Sequence, residues 1–215
     1  MVDTTNLRIL LALSSRPEMF LKTFDVKTAF LNGTLDQEIY MILPDGFAKT
    51  GQICLLKKAL YGLKQATLGW HKRLTEFLRT KGIEQLKTDK CIYKKEQNSL
   101  HLAVHVDDGM IIGSDMKAVD KLLKVLQTEF KIKIDHNPKN YLDMEVKKSR
   151  NITTLSQSAY AEKVLKKYNM WDYHPAYILM EPRGKNVPRA EPKFPYREAL
   201  GSLQYMACKT RPDMQ

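Results

Sequence analysis

The chain has 215 residues, enough for one large domain or two small ones, and 43% hydrophobic with 27% charged residues fits a packed core under a soluble surface. Thirty-five basic residues against 24 acidic ones leave a net charge of +11, which points to a polyanionic partner, nucleic acid first. Cys54, Cys91 and Cys208 are too few and too scattered for a disulfide framework or a C-x-x-C zinc pair, and the apolar run Ile9 to Leu13 is too short to span a membrane or to form a signal peptide. An intracellular protein without a membrane partner is expected.

Leu7, Leu10, Leu11 and Leu13 give residues 4–15 one apolar face, predicting a short helix with Thr4 or Thr5 as N-cap and Pro17 as its stop. Phe20 to Val26 reads as a strand leading into Asp25, Asn32-Gly33 as a turn, and Ile39 to Ile42 and Ile53 to Leu56 as short strands. Leu68 to Lys81 carries a helical pattern closed by Gly82. Strands follow over 91–95 and 100–106, joined through Gln97-Asn98-Ser99, and then a helix over 116–130 capped by Ser114 or Asp115. Further strands are expected over 131–134 and 141–147, and helices near 158–168 and over 196–208. Glu181 to Pro195 reads as a proline-rich linker. Strands and helices mixed without strict alternation predict an α+β fold.

Two carboxylates stand out between two apolar runs in Ala103 to Gly113, which reads A-V-H-V-D-D-G-M-I-I-G. The Asp108-Gly109 step predicts a tight hairpin with Asp107 and Asp108 at its tip. Paired acids of this kind hold divalent metals against phosphate once a third acid joins them, although Asp and Gly also populate ordinary turns. Asp25, at the end of its strand, is the candidate third acid, with a helix N-cap as its plain structural alternative.

The segment Asp25-Val26-Lys27-Thr28-Ala29-Phe30-Leu31-Asn32-Gly33 resembles the first catalytic motif of Ty1/copia-type reverse transcriptases. The resemblance continues through Tyr40-Met41, Pro44-Asp45-Gly46-Phe47 and Leu55 to Ala66, as far as Trp70. His105-Val106-Asp107-Asp108 is similar to the Tyr-Val-Asp-Asp box. Leu155-Ser156-Gln157, Tyr160-Ala161, Tyr196-Arg197-Glu198, Gly201-Ser202-Leu203, Tyr205 and Thr210-Arg211-Pro212-Asp213 follow in the family's order.

The resemblance implies a right-hand polymerase with a palm on a ferredoxin-like sheet. Residues 1–150 would form partial fingers and palm, and 151–215 a truncated thumb or connection. It implies Asp25, Asp107 and Asp108 as catalytic, metal-binding carboxylates for Mg2+ or Mn2+, with the Val26 backbone near the triphosphate. Phe30 would screen the ribose 2′-hydroxyl, and Tyr61, Gly62 and Lys64 would border nucleotide and template. The implied partners are an RNA or DNA template–primer and a dNTP, and the implied reaction is transfer of a nucleotide to a primer 3′ end.

His105 replaces the box tyrosine, Asp143 the glycine of a Phe-Leu-Gly-Ile-Glu segment matched by Tyr141 to Glu145, and Thr67 a proline. Wherever that glycine supplies a positive φ, aspartate adds bulk and repulsion toward phosphate. The basic fingers segment that precedes the first motif in the family is not matched, and the chain stops inside its last motif, so a fragment of a retrotransposon Pol polyprotein is expected. Two readings follow: a reverse transcriptase fragment, or a catalytically inactive nucleic-acid-binding remnant of the same domain.

Overall fold

The computed structural model describes residues 2–44, 46–47, 51–96, 99–149, 151–174 and 194–214. Asp45, the Gln97-Asn98 pair and most of the expected 181–195 linker lie outside the described residues. Helix α1 (Thr4–Ser14) buries Leu7, Leu10 and Leu11, as its apolar spacing requires. Its cap is Asp3 rather than either threonine: the carboxylate accepts the N–H groups of Thr5 at 2.8 Å and Asn6 at 3.3 Å.

The same entry is tied to the chain far downstream. Asp89 accepts the Asp3 N–H at 3.1 Å, the Asn6 side-chain amide at 3.0 Å and the Cys91 N–H at 2.9 Å. Burial by itself raises this carboxyl, but the three donors outweigh it and hold the group below the ordinary carboxylate value. A lowered folded-state pKa stabilises above the unfolded value, about 3.9, and that contribution is lost as pH falls through the folded one. Asp89→Asn is therefore expected to cost about 1–3 kcal/mol at neutral pH. Urea melts at two pH values check this: the gap to the wild type closes below about pH 4.

Strands β1 (Phe20–Val26), β2 (Tyr40–Ile42) and β3 (Ile53–Leu55) come next, with a 3-10 turn over Ala29–Asn32 between the first two. Helix α2 (Ala66–Thr80) leads into β4 (Glu84–Gln85), β5 (Ile92–Lys95), β6 (Leu100–His105) and β7 (Asp108–Gly113). Helix α3 (Met116–Glu129) and β8 (Ile132–Asp135) follow. Six of these strands form one antiparallel sheet in the order β4-β5-β6-β7-β1-β8, while β2 and β3 form a separate ribbon.

Alternation along the strands divides the sheet into two faces. Phe24, Val26, Leu102, Val104 and Ile111 meet Trp70, Leu74, Phe77 and Leu78 of α2 and Val119, Leu122, Leu123 and Leu126 of α3. Phe130 stands edge-on to Trp70 at 5.1 Å and to Phe77 at 5.2 Å, joining the two helices in one core. Lys22 shares that face by the same alternation, and its charge is met by Asp120 of α3 at 2.5 Å. Ala103, Met110 and Ile112 are equally buried but stand outside that cluster, and α1 lies against β7. His71, which has no evident partner in the sequence, meets the Lys90 carbonyl at 2.9 Å and Tyr93 Oη at 3.3 Å.

The expected strand over 141–147 is broken into β9 (Asn140–Tyr141) and β10 (Met144–Ser149). Leu142 and Asp143 between them turn the chain through the left-handed region, with φ of 49° and 61°. Asp143 thus holds the backbone conformation that a glycine adopts freely. Asp143→Gly is expected to raise stability by about 1 kcal/mol, read from the midpoint of a denaturant melt. Strand β11 (Ile152–Ser156), absent from the sequence reading, completes a three-stranded sheet ordered β11-β10-β9.

The chain divides into two units, Met1–Tyr141 with Lys148–Thr153, and Leu142–Lys147 with Thr154–Gln215. In the second, helices α4 (Ser158–Lys167) and α5 (Tyr196–Lys209) bury Val164, Ala199, Met206 and Ala207. Tyr160 packs edge-on to Tyr205 at 5.1 Å, and Lys167 pairs with Glu198 at 3.0 Å.

Candidate active site

The hairpin between β6 and β7 turns one step earlier than its Asp108-Gly109 pair suggests. His105 is paired with Asp108, so the two turn residues are Val106 and Asp107. Val106 carries a φ of 62°, a strained conformation for a β-branched residue. Two bonds hold it there. The Trp70 indole N–H donates to the Val106 carbonyl at 2.6 Å, and the Val26 N–H donates to the Asp107 carbonyl at 2.8 Å.

Gly109 belongs to β7, where its lack of a side chain makes room for a ring. It lies opposite Phe24, and a Cβ built on it would stand 2.1 Å from Phe24 Cζ. The Phe24 ring can cover β7 only because that atom is missing.

The same β1–β7 register sets Asp25 opposite Asp108. Opposed residues of an antiparallel pair have Cα atoms roughly 4.5–5.5 Å apart and side chains on one face. That face is the one turned away from α2 and α3, and His105 shares it by its own pairing with Asp108. Asp25 is exposed, and Asp107 and Asp108 are half-buried.

Tyr61 brings the third acid into the group. Its hydroxyl reaches Asp107 Oδ2 at 3.5 Å, the outer limit of a hydrogen bond. Partial burial, then the Asp107 charge and its hydrogen bond, then the Asp25 charge push the phenol above the ordinary tyrosine value. The Tyr61 ring also lies 4.4 Å from the buried ring of Phe30. Asp25, Asp107, Asp108, Phe30 and Tyr61 therefore occupy one neighbourhood. Gly62 continues from Tyr61 with a φ of 96°, and Lys64 is exposed two residues further on; no contact joins either to the acids. The Val26 N–H, expected near a triphosphate, is already engaged by Asp107.

Among the described residues, no three His, Cys, Asp or Glu side chains are gathered into a ready cation site. The donors are nevertheless carboxylate oxygens, the hard ligands that suit Mg2+ and Mn2+, and two of them share one face beside the third. In donor chemistry the set fits such a metal.

Trp70 and Tyr141 are site residues that sequence reasoning did not mark. Trp70 reads as an ordinary core aromatic, and its bond to the acid turn has no local signal. Tyr141 is almost wholly buried, and Asp108 is the neighbouring charge that its phenol feels.

Acids from β1 and the β6–β7 turn, presented on one antiparallel sheet, define a nucleotidyl-transfer type of site, and comparison with known proteins gives the family. The chain belongs to the reverse transcriptase (RNA-dependent DNA polymerase) family, whose model matches residues 1–182. It is similar to retrovirus-related Pol polyproteins of copia-type retrotransposons over nearly its whole length. The relative from transposon TNT 1-94 of Nicotiana tabacum is 34% identical over 99% of this chain, which spans 17% of that polyprotein. The one from transposon RE1 of Arabidopsis thaliana is 34% identical over 99% of this chain and 15% of its own length. A putative transposon Ty5-1 protein of Saccharomyces cerevisiae is 27% identical over 88% of this chain and 65% of its own length. Among the described residues no helix is long and apolar enough to cross a membrane.

Proposed function

We propose that the chain is an RNA-directed DNA polymerase fragment that adds deoxynucleotides to a primer 3′ end. The observation that carries this reading is Asp25 opposite Asp108, with Asp107 beside them in the turn, in a chain of the reverse transcriptase family. The sheet supports a palm: β1, α2, β6, β7, α3 and β8 follow one another, and the strands lie in the order β6-β7-β1-β8, a ferredoxin-like arrangement. Residues 1–150 then correspond to palm and partial fingers, and 151–215 to a thumb or connection region.

Asp25, Asp107 and Asp108 would hold Mg2+ or Mn2+, which when bound neutralises phosphate charge and activates the attacking oxygen. The rest is positioning. The primer 3′-oxygen forms a bond to the α-phosphorus of the dNTP, and the bond to pyrophosphate breaks. Phe30, braced by Tyr61, forms a wall that excludes a ribose 2′-hydroxyl. The Tyr61 phenol, kept protonated by the acids beside it, offers a hydrogen-bond donor at the nucleotide. Lys64 and the net charge of +11 attract the template–primer backbone.

A second reading is a nucleic-acid-binding remnant without catalysis. It is favoured by Asp143, which adds an exposed carboxylate in a left-handed turn where the family segment has glycine. Primer extension on a homopolymer RNA template with a DNA primer, dNTPs and Mg2+ or Mn2+ separates the two. Incorporation supports the polymerase. Salt-sensitive template–primer binding without incorporation supports the remnant.

A further inference from the structure

Tyr141 closes β9 with only 4% of its surface exposed, and its hydroxyl is shut off from solvent with no hydrogen-bond partner. The arrangement is costly. A phenylalanine would fill the same space without burying an unmet donor, so the hydroxyl needs an account beyond packing. Burial and then the Asp108 carboxylate keep the phenol protonated, far above the ordinary tyrosine value. The hydroxyl is thus a donor lying within the field of Asp108, the acid that faces Asp25 across β1 and β7.

Resting on the function proposed above, we propose that Tyr141 is a positioning residue for Asp108, whose carboxylate accepts the Tyr141 hydroxyl when it turns to meet a divalent cation. The hydroxyl then fixes the carboxylate's orientation, as outer-shell donors do for ligating carboxylates generally. Tyr141 touches neither primer nor nucleotide in this scheme; it acts through Asp108.

The test is Mn2+ binding to the purified chain, followed by the EPR signal of the free ion, in the wild type, Tyr141→Phe and Asp108→Asn, with thermal melts of each. Tyr141→Phe is expected to bind Mn2+ about tenfold more weakly, with a melting temperature equal to or above that of the wild type. If Tyr141→Phe binds as tightly as the wild type while Asp108→Asn has lost affinity, the inference alone is overturned. A Tyr141→Phe chain that melts well below the wild type also overturns it, because the hydroxyl then has a partner within the fold. Wild-type protein without saturable Mn2+ binding, or Asp108→Asn binding as tightly as wild type, overturns the metal-site reading and this inference together.

Discussion

Asparagine in place of Asp25 or Asp108 is expected to cut primer extension by about a hundredfold or more while leaving the fold intact. The substitution preserves shape and removes one charge from a pair that faces across two strands. Like charges in that position repel, so thermal stability stays level or rises slightly. Single-nucleotide incorporation and template–primer binding, measured side by side, decide the matter. Lost incorporation with retained binding places the acids in the chemistry. Wild-type incorporation by either variant removes that acid from it.

Gly109→Ala has the larger consequence for the scaffold. The new Cβ would stand 2.1, 2.3 and 2.6 Å from three atoms of the Phe24 ring, all far inside contact distance. Phe24 is 3% exposed and packed in the main core, so its ring has no free space to enter. Either the ring is expelled or β1 and β7 part, and the expected cost is about 3 kcal/mol. A denaturant melt of Gly109→Ala, Phe24→Leu and the double variant checks the cause. The double variant is expected to lose less than the sum of the singles, because leucine removes the ring that clashes. Additive losses would assign the damage to something other than the Phe24 contact.

The sheet was legible where alternation is strong. Phe20–Val26 and the α3 face through Val119, Leu122, Leu123 and Leu126 follow from spacing alone, because one face of each must be buried. The acid turn was placed one step late for a physical reason. Asp-Gly is a strong hairpin signal, but here Gly109 answers to the Phe24 ring, and the positive φ falls on Val106. The break at Leu142-Asp143 was hidden because that dipeptide carries no turn signal; only the resemblance to a glycine-bearing segment hinted at it. Spacing could not unite Asp25 with Asp107 and Asp108, since their meeting depends on strand pairing across a long stretch of chain. Family resemblance supplied that link, and the β1–β7 register gives it physical form.

Both carbonyls of the Val106-Asp107 turn are occupied, one by the indole of α2 and the other by the backbone of β1. The turn cannot pivot without releasing a helix or a strand. Its acids act as a fixed anvil. In a polymerase built this way, the travel of a turnover cycle falls to the nucleic acid and to those parts of the protein that carry it to the sheet.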